Sequence, residues 1–226
     1  VITNISYAHS KNFNNLLGIA KAKSEIIDNI LVNGSIVLNA DDKFYNYFKL
    51  KALNKKLKVI SFSKKNKSNI KLEKIISFKN LSTIKINING RSKNFIIKRN
   101  LEFYIENILA SLAVISIYLD LNDINEKFFF NYNLPEGRGD YKCIRINKKK
   151  IHLIDESYNS NPLSLKFALE NFSKLRTKSK RKIILLGDML ELGKFSKKLH
   201  KEAAKIVNNT SINNVYVFGK KIINTF

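Results

Sequence analysis

Residue types that cross-link or interrupt small proteins are scarce in this chain. Its 226 residues include one cysteine, two prolines, eight glycines and no tryptophan. A single cysteine, Cys143, excludes an internal disulfide framework and fits a reducing compartment. No apolar run approaches the roughly 20 residues that a membrane-spanning helix needs, and no signal peptide opens the chain. We expect a cytoplasmic protein with no membrane partner, and a monomer.

Acidic residues are also few. Asp and Glu number 18 against 41 Lys and Arg, which gives a net charge of +23. Such a charge is typical of proteins that bind nucleic acids or other polyanions. The lysines are spread over the whole chain, however, and Lys, Asn and Ile are abundant together, as codon bias in an AT-rich genome produces. We favour this compositional drift and expect no specific nucleic-acid partner, but a basic nucleic-acid-binding domain is an alternative.

Residues 151–218 contain the clearest structural pattern. Three short apolar runs alternate with two helical patterns, which is typical of a parallel sheet with crossover helices. Asn161 followed by Pro162 predicts a helix start, and the continuous run 183–186 predicts a strand covered on both faces. Ligands bind at the carboxyl ends of such strands, where polar residues gather in this sequence. These rim residues are Asp155, Glu156, Tyr158, Asn159, Asp188 and Glu191.

The first part of the chain predicts a second α/β region. Residues 1–5 resemble a strand, and a strongly apolar helix is predicted over 102–119. Asn107 lies near the start of that helix, where it either satisfies buried backbone groups or contacts a ligand. Residues 63–100 alternate in polarity around the turn Asn89-Gly90, which predicts a small antiparallel hairpin unit.

Lys23 has an unusual position in a helix predicted over 14–30. The spacing of the apolar residues places Lys23 on the buried stripe, and leaves Lys21 and Ser24 off it. A buried lysine is costly unless it is paired, deprotonated or modified, although its aliphatic stem can also snorkel to solvent. Carbamylation would turn the side chain into an anionic metal ligand. The apolar positions of this helix are Leu16, Ile19, Ala20, Ile27 and Ile30.

The run 135–140, with one proline, two glycines and charged residues, is the clearest linker in the chain. Its Arg138 is either a surface charge of a hinge or a group that reaches phosphate, which bidentate guanidinium geometry suits. The predicted fold is therefore α/β in three parts. Residues 1–134 form part of a parallel sheet with helices and the antiparallel hairpin unit, 135–140 form a hinge, and 141–226 form a Rossmann-like α/β domain.

Four segments of the sequence together resemble a known family. They are Thr3–His9, Gly18–Ile26 with Leu38–Asp41, Asp155–Pro162, and Leu186–Gly193 followed by Ser196 and His200. In order and spacing these segments resemble the Mur ligases along the whole chain, most specifically the branch that adds D-alanyl-D-alanine to UDP-MurNAc-tripeptide. The resemblance implies an ATP-dependent ligase of peptidoglycan precursor synthesis, which forms an amide bond through an acyl phosphate with the help of Mg²⁺.

The resemblance also implies roles for individual residues at the nucleotide and metal. His9 and Lys23, the latter as a carbamate, correspond to ligands of a magnesium ion. Asn107 corresponds to a residue beside the adenine, and Arg138 to a linker arginine that approaches the phosphates. The pair Asp155-Glu156 corresponds to an acidic loop that faces the nucleotide. His9, Lys23 and Arg138 are thus the implied catalytic residues.

The implied binding site for the incoming dipeptide lies in the second domain. Tyr158, Asn159 and Asn161 are the candidates for this role. The resemblance has gaps, because the phosphate-binding loop Gly-x-x-Gly-Lys-[Ser/Thr], the domain for the UDP-sugar and the glutamate that binds the first magnesium are absent. Phe103 stands where many Mur ligases have histidine, so the resemblance does not fix which residues contact the adenine. We expect a fragment that is inactive alone.

Folylpolyglutamate synthase is a second alternative, because it shares the architecture and a similar lysine. The run from Asp188 to Gly193 favours the D-alanyl-D-alanine branch instead.

Overall fold

A computed structural model of the protein describes residues 1–8, 10–175 and 181–223. These residues form two units. The first contains Val1–Ile5 and Leu17–Tyr132, and the second contains Ser6–Leu16 and Asn133–Phe226. The segment Ser6–Leu16 therefore packs with the second unit, although the chain on both sides of it belongs to the first.

One five-stranded sheet forms the first unit, with strands β1 (Ser35–Asn39), β2 (Lys58–Ser63), β3 (Ile70–Phe78), β4 (Leu81–Ile88) and β5 (Arg91–Lys98). The strands are adjacent in chain order; β1, β2 and β3 are parallel, and β3, β4 and β5 are antiparallel. The helices of this unit are α1 (Leu16–Asp28), α2 (Tyr45–Asn54) and α3 (Ile105–Ile115), with 3₁₀ helices at Arg99–Tyr104 and Leu121–Asp123. The α/β class and the antiparallel hairpin unit are confirmed, and the hairpin unit continues the parallel strands in one sheet.

The core of the first unit lies on one face of the antiparallel strands. Ile84, Ile86, Phe95 and Ile97 are fully buried, and they alternate along β4 and β5 with residues that face solvent. The turn between the two strands has positive φ at Asn89 and Gly90, 50° and 95°. A two-residue hairpin needs this conformation, and Asn-Gly adopts it readily.

The second unit contains two separate pairs of strands. They are β6 (Asp140–Ile146) with β7 (Lys149–Asp155), and β8 (Ile183–Gly187) with β9 (Asn214–Phe218). The first pair is antiparallel and the second is parallel. The helices are α4 (Pro162–Lys174), α5 (Ser196–Asn208) and the short α6 (Lys220–Ile223), and 3₁₀ helices lie at Ser10–Asn12 and Gly193–Phe195.

The strand pattern of the second unit differs from the prediction in two respects. The sequence predicts that β7, β8 and β9 form one parallel sheet. In the described residues, however, β7 pairs with β6 and not with β8. In β8, Ile184 and Leu186 are buried but Leu185 is 73% exposed, so cover on both faces is also wrong. The buried face of β8 packs with residues of α4 and α5, and the described residues place no such layer over the other face.

Several element boundaries also differ from the prediction. The helix expected over 102–119 is the 3₁₀ helix Arg99–Tyr104 followed by α3, which ends at Ile115. Residues 1–5 form no strand, and only Ile2 makes a parallel bridge, to Leu38.

None of the helices in the described part of the chain has both the length and the hydropathy that crossing a bilayer requires.

The start of α4 is fixed by a capping box, as the sequence predicts. The Asn161 side chain accepts hydrogen bonds from the backbone N–H groups of Leu163 and Ser164, and the Ser164 hydroxyl accepts one from Asn161 N–H. Replacing Asn161 with alanine is expected to destabilise the protein by about 1 kcal/mol, because two amide N–H groups lose their acceptor. Urea denaturation measures the loss, and Asn161→Ser is the control that keeps a capping oxygen. Equal stabilities of the two variants would contradict the role of the cap.

Candidate active site

A cleft of about 280 Å³ opens in the second unit where β7 and β8 end. One side is the loop 158–161, which follows β7, and the other is 190–192, which follows β8. Ala8, from the segment Ser6–Leu16, completes the lining. The structure thus brings together residues from the two loops that the sequence identifies as a ligand-binding rim. A larger cavity of about 390 Å³ in the first unit involves Ile88, Asn89 and residues 116–121, and includes no predicted site residue.

A buried histidine supports the loop that follows β8 through a hydrogen bond. His200, on α5, is 1% exposed. Its Nε2 accepts a hydrogen bond from the backbone N–H of Met189 at 3.1 Å, and its Nδ1 lies 2.8 Å from the carbonyl oxygen of Ser196. These partners fit a neutral imidazole that carries its proton on Nδ1. The ring therefore fixes the loop from inside and does not face the cleft.

Asp188 is a structural residue of this loop. Its carboxylate accepts hydrogen bonds from the backbone N–H groups of Lys221 and Ile222 at 2.8–3.3 Å. A Cβ on Gly219, which has φ +130°, would come within 2.5 Å of the same carboxylate. Of the rim residues predicted on this loop, Glu191 lines the cleft, and Asp188 points to the start of α6.

Tyr158 joins the cleft to the segment predicted as a linker. The Arg138 guanidinium carbon lies 4.1 Å from the centre of the Tyr158 ring, a cation–π arrangement. Tyr158 N–H also donates to the carbonyl oxygen of Gly137 at 3.1 Å. Gly137 has φ +71°, and a Cβ there would be 3.1 Å from Tyr158 N, so this position requires glycine.

Asn159 and Asn161 also line the cleft. The side-chain oxygen of Asn161 is used by the helix cap, so its amide NH₂ is the group that remains suited to a ligand.

Asp155 lies at the end of β7, opposite Asp140 in the β6–β7 pair. Hydrogen bonds from the hydroxyl and the backbone N–H of Ser157 hold the pKa of Asp155 below its ordinary value, and the Lys142 ammonium contributes in the same direction. The pKa of Lys142 is raised, chiefly by its hydrogen bond to Glu136 and then by Asp140. These contacts favour the ionised form of Asp155, and its charge is partly balanced by Lys142, whose ammonium lies 3.9 Å from the carboxylate.

Replacing Ser157 with alanine is expected to raise the pKa of Asp155 towards its ordinary value. Because the folded-state pKa is depressed, Asp155 stabilises the fold at pH above its unfolded pKa, and this contribution is lost as pH falls through the folded pKa. In the variant this contribution should be smaller, and its loss should be complete at a higher pH. Carboxyl ¹³C NMR titration measures the pKa, and an unshifted titration of Asp155 would contradict its assignment to Ser157.

Two of the predicted site residues, Lys23 and Asn107, belong to the first unit. Lys23 is exposed on α1, and its ammonium donates to the carbonyl oxygen of Asn4 at 3.2 Å. Ser24, 1% exposed, takes the buried position, so the prediction that Lys23 lies on the buried stripe and Ser24 lies off it was wrong. Asn107 is exposed on α3, which contradicts a buried structural role. His9 lies outside the described residues.

Of the two predicted magnesium ligands, the structure describes Lys23, and this side chain suits Mg²⁺ only as a carbamate. Among residues 1–8, 10–175 and 181–223 there is no group of three His, Cys, Asp or Glu side chains that could hold a metal ion. The Lys23 ammonium repels a cation, whereas a carbamate on the same nitrogen offers the hard oxygen ligands that Mg²⁺ prefers. The exposed amine of Lys23, bound to one backbone carbonyl, is accessible to CO₂.

Comparison with protein families decides the affiliation of the chain. The model of the Mur ligase middle domain matches residues 1–115, about half of the sequence, and that of the Mur ligase glutamate ligase domain matches residues 142–224. The chain belongs to the Mur ligase family.

Individual Mur ligases match along nearly all of the chain. The UDP-N-acetylmuramoyl-tripeptide–D-alanyl-D-alanine ligase of Buchnera aphidicola subsp. Baizongia pistaciae is 31% identical over 97% of this chain and 46% of the relative. The enzyme of the same name from Rickettsia prowazekii is 31% identical over 97% of this chain and 48% of the relative. The chain spans about half the length of the curated relatives it matches.

Solved structures of Mur ligases share the fold. MurF from Acinetobacter baumannii superposes with a TM-score of 0.82 at 23% identity, over 97% of this chain and 46% of that one. MurF from Thermotoga maritima, solved in complex with ADP, gives 0.72 at 22%, over 95% and 47%. The apo form of FPGS from Lactobacillus casei is more distant, with a TM-score of 0.61 at 14% identity over 95% of this chain and 48% of that one.

Sequence reasoning missed two parts of the cleft of this Mur ligase. Ala8 carried no signal apart from its place beside His9. Leu190 and Leu192 belong to the run that most resembles the D-alanyl-D-alanine branch, but apolar residues in a loop suggested no role. Their contact with the cleft follows from the fold, which a local pattern does not encode.

Proposed function

We propose that the full-length protein is an ATP-dependent ligase that joins D-alanyl-D-alanine to UDP-MurNAc-tripeptide. The observation that carries the proposal is that the two segments most specific to this branch, 155–162 and 186–193, line one cleft. Relatives that match 97% of the chain bear the name of this activity. The proposed enzyme acts in the cytoplasm as a monomer, without a specific nucleic acid or a membrane.

The cleft is proposed to receive the dipeptide. Asn159 and Asn161 supply amide groups that suit the peptide bond and the carboxylate of D-alanyl-D-alanine, and the Glu191 carboxylate suits its ammonium group. Tyr158 contributes an apolar ring beside them. A small cleft lined by polar groups and by apolar side chains such as Leu190 and Leu192 fits a dipeptide whose own side chains are methyl groups.

The nucleotide is proposed to bind residues of both family domains. Asn107 is assigned to the adenine, Arg138 to the phosphates, and Asp155 and Glu156 to the acidic loop that faces the nucleotide. Arg138 suits phosphate because its planar guanidinium offers two parallel donors. Tyr158 holds this guanidinium against its ring, which restricts its orientation before the nucleotide binds.

Metal binding is assigned to His9 and to Lys23 as its carbamate. A bound Mg²⁺ would neutralise charge between the phosphates and the substrate carboxylate. The tripeptide carboxylate takes the γ-phosphoryl group of ATP, which leaves ADP and an acyl phosphate. The dipeptide amine then attacks the acyl carbon, and phosphate leaves. Residues 1–134 and 141–226 are proposed as the two domains, and closure about the hinge 135–140 would exclude water from the acyl phosphate.

Phosphate release by the full-length protein tests this function. We expect release that requires ATP, UDP-MurNAc-tripeptide and D-alanyl-D-alanine together, and no turnover by the 226-residue chain alone, because its sequence has no phosphate-binding loop. Release with a folate and glutamate in place of the two peptides would favour a folylpolyglutamate synthase. No release with either set, together with sequence-specific, salt-dependent DNA binding, would favour the nucleic-acid-binding alternative.

A further inference from the structure

The segment Ser6–Leu16 packs against the residues that follow β8. It forms one side of the cleft through Ala8, yet the chain before and after it belongs to the first unit. Three side-chain contacts hold it on the second unit. They are the buried Ser10 hydroxyl to the Leu192 carbonyl oxygen (3.4 Å), the Tyr7 ring to the Phe195 ring (4.9 Å between centroids), and the Lys194 ammonium to Asn14 Oδ1 (2.5 Å).

The backbone of the segment Ser6–Leu16 lies close to Gly193. A Cβ at this position would lie 2.6 Å from the Cα and 2.8 Å from the carbonyl oxygen of Lys11. Both are backbone atoms, so no side-chain rotation relieves the contact. Gly193 also has φ +54°, a conformation that glycine adopts without strain. Any other residue at 193 must push the 3₁₀ helix Ser10–Asn12 away.

We propose that Gly193 is a positioning residue, which fixes the segment Ser6–Leu16 and with it the Ala8 side of the cleft. Contact between the backbones of Gly193 and Lys11 sets the distance, and the three side-chain contacts lock the segment in place. A displaced segment widens the cleft between Ala8 and the loop 190–192. The contact itself is independent of the ligand, and only its effect on dipeptide binding rests on the proposed function.

Hydrogen exchange of the ligand-free, full-length protein tests the contact. In Gly193→Ala, we expect amides 7–16 to exchange about tenfold faster, because the segment loses its docked position. Gly90→Ala is the matched control: Gly90 also has positive φ, but a Cβ there meets no atom within 4 Å. Exchange of amides 7–16 in Gly193→Ala equal to that in Gly90→Ala would overturn the proposal.

A second variant covers the case in which Gly193→Ala does not fold. Phe195→Ala removes the ring contact with Tyr7 and keeps Gly193, and it should speed exchange of amides 7–16 more than that of α5. Equal acceleration in both segments would overturn the proposal.

Steady-state kinetics supply a readout that general destabilisation would not produce. We expect Gly193→Ala to raise KM for D-alanyl-D-alanine about tenfold and KM for ATP by less than that, because one side of the cleft moves whereas Asn107, Arg138 and Asp155 stay in place. Faster exchange of amides 7–16 with an unchanged KM for the dipeptide would support the positioning role of Gly193. It would also mean that the dipeptide does not bind in this cleft. Equal rises in both KM values would overturn a role specific to this cleft.

Discussion

Replacing Lys23 with alanine in the full-length enzyme is expected to lower kcat by about 10²–10³-fold. The proposed carbamate supplies negatively charged oxygens to a metal ion, and electrostatic stabilisation of phosphoryl transfer by a metal contributes several kcal/mol, with tenfold in rate for each 1.4 kcal/mol. The unmodified side chain donates one hydrogen bond, to the carbonyl oxygen of Asn4, and is exposed. Its loss should therefore change stability by less than about 0.5 kcal/mol.

Two controls separate the carbamate from a simple loss of charge. Lys21→Ala removes a lysine from the same helix at another exposed position, and it should keep full activity. Activity of the wild type should fall when CO₂ and bicarbonate are removed and return when bicarbonate is added. Short carboxylic acids should restore part of the activity of Lys23→Ala, since they replace the missing oxygens. Full activity of Lys23→Ala without bicarbonate would exclude the carbamate.

The position of Lys23 also shows why helical periodicity misassigned this face. Lys23 and Ser24 are neighbours in the sequence, but the buried face of α1 contains Ser24 with Ile19, Ala20 and Ile27, and not Lys23. Ser24 is buried because its hydroxyl is satisfied within the fold, by the carbonyl oxygen of Lys21 at 2.7 Å and by the Tyr47 hydroxyl at 3.2 Å. A small side chain with local partners enters a core cheaply, whereas an ammonium does not. Spacing alone favoured Lys23 for the buried position, because it does not take the chemistry of the side chain into account.

Features that depend on neighbouring residues were predicted well. The Asn89-Gly90 hairpin and the Asn161-Pro162 helix start follow from local backbone chemistry, and both are present. The strand β8 shows where local reasoning ends. A continuous apolar run is compatible with burial on one face or on two, and the outcome depends on which helices pack against the strand. In the described residues, α4 and α5 pack on one face only.

The candidate site was predictable in part for the same reason. Polar loops after β7 and β8 were expected at one edge, and they line one cleft. The contribution of Ser6–Leu16 joins residues about 180 positions apart, such as Ser10 and Leu192. No periodicity or turn motif encodes a contact over that separation. In the sequence, Gly193 is the residue that reflects this contact. A side chain there would collide with the backbone of Lys11, and only the fold shows that the two residues are neighbours.

Replacing Arg138 with alanine is expected to lower kcat/KM for ATP by about 10²-fold and to leave KM for D-alanyl-D-alanine unchanged. Two charge-assisted hydrogen bonds from one guanidinium to phosphate are worth about 3 kcal/mol together, which corresponds to that factor. The Tyr158 ring, 4.1 Å from the guanidinium carbon, sets the orientation of the group at little entropic cost. Arg138→Lys should recover only part of the loss, because an ammonium keeps the charge but not the two parallel donors.

Tyr158 provides the control that separates orientation from phosphate binding. Tyr158→Phe keeps the ring beneath Arg138 and should keep KM for ATP within about twofold of the wild type, whereas Tyr158→Ala should raise it about two- to fivefold, as expected for a cation–π contact of 0.5–1 kcal/mol at an exposed site. The Arg138→Ala and Tyr158→Ala effects should not add, because the ring acts on ATP only through the guanidinium. Additive losses in the double variant would mean that Tyr158 contacts ATP directly, and an unchanged kcat/KM for ATP in Arg138→Ala would remove the arginine from the nucleotide site.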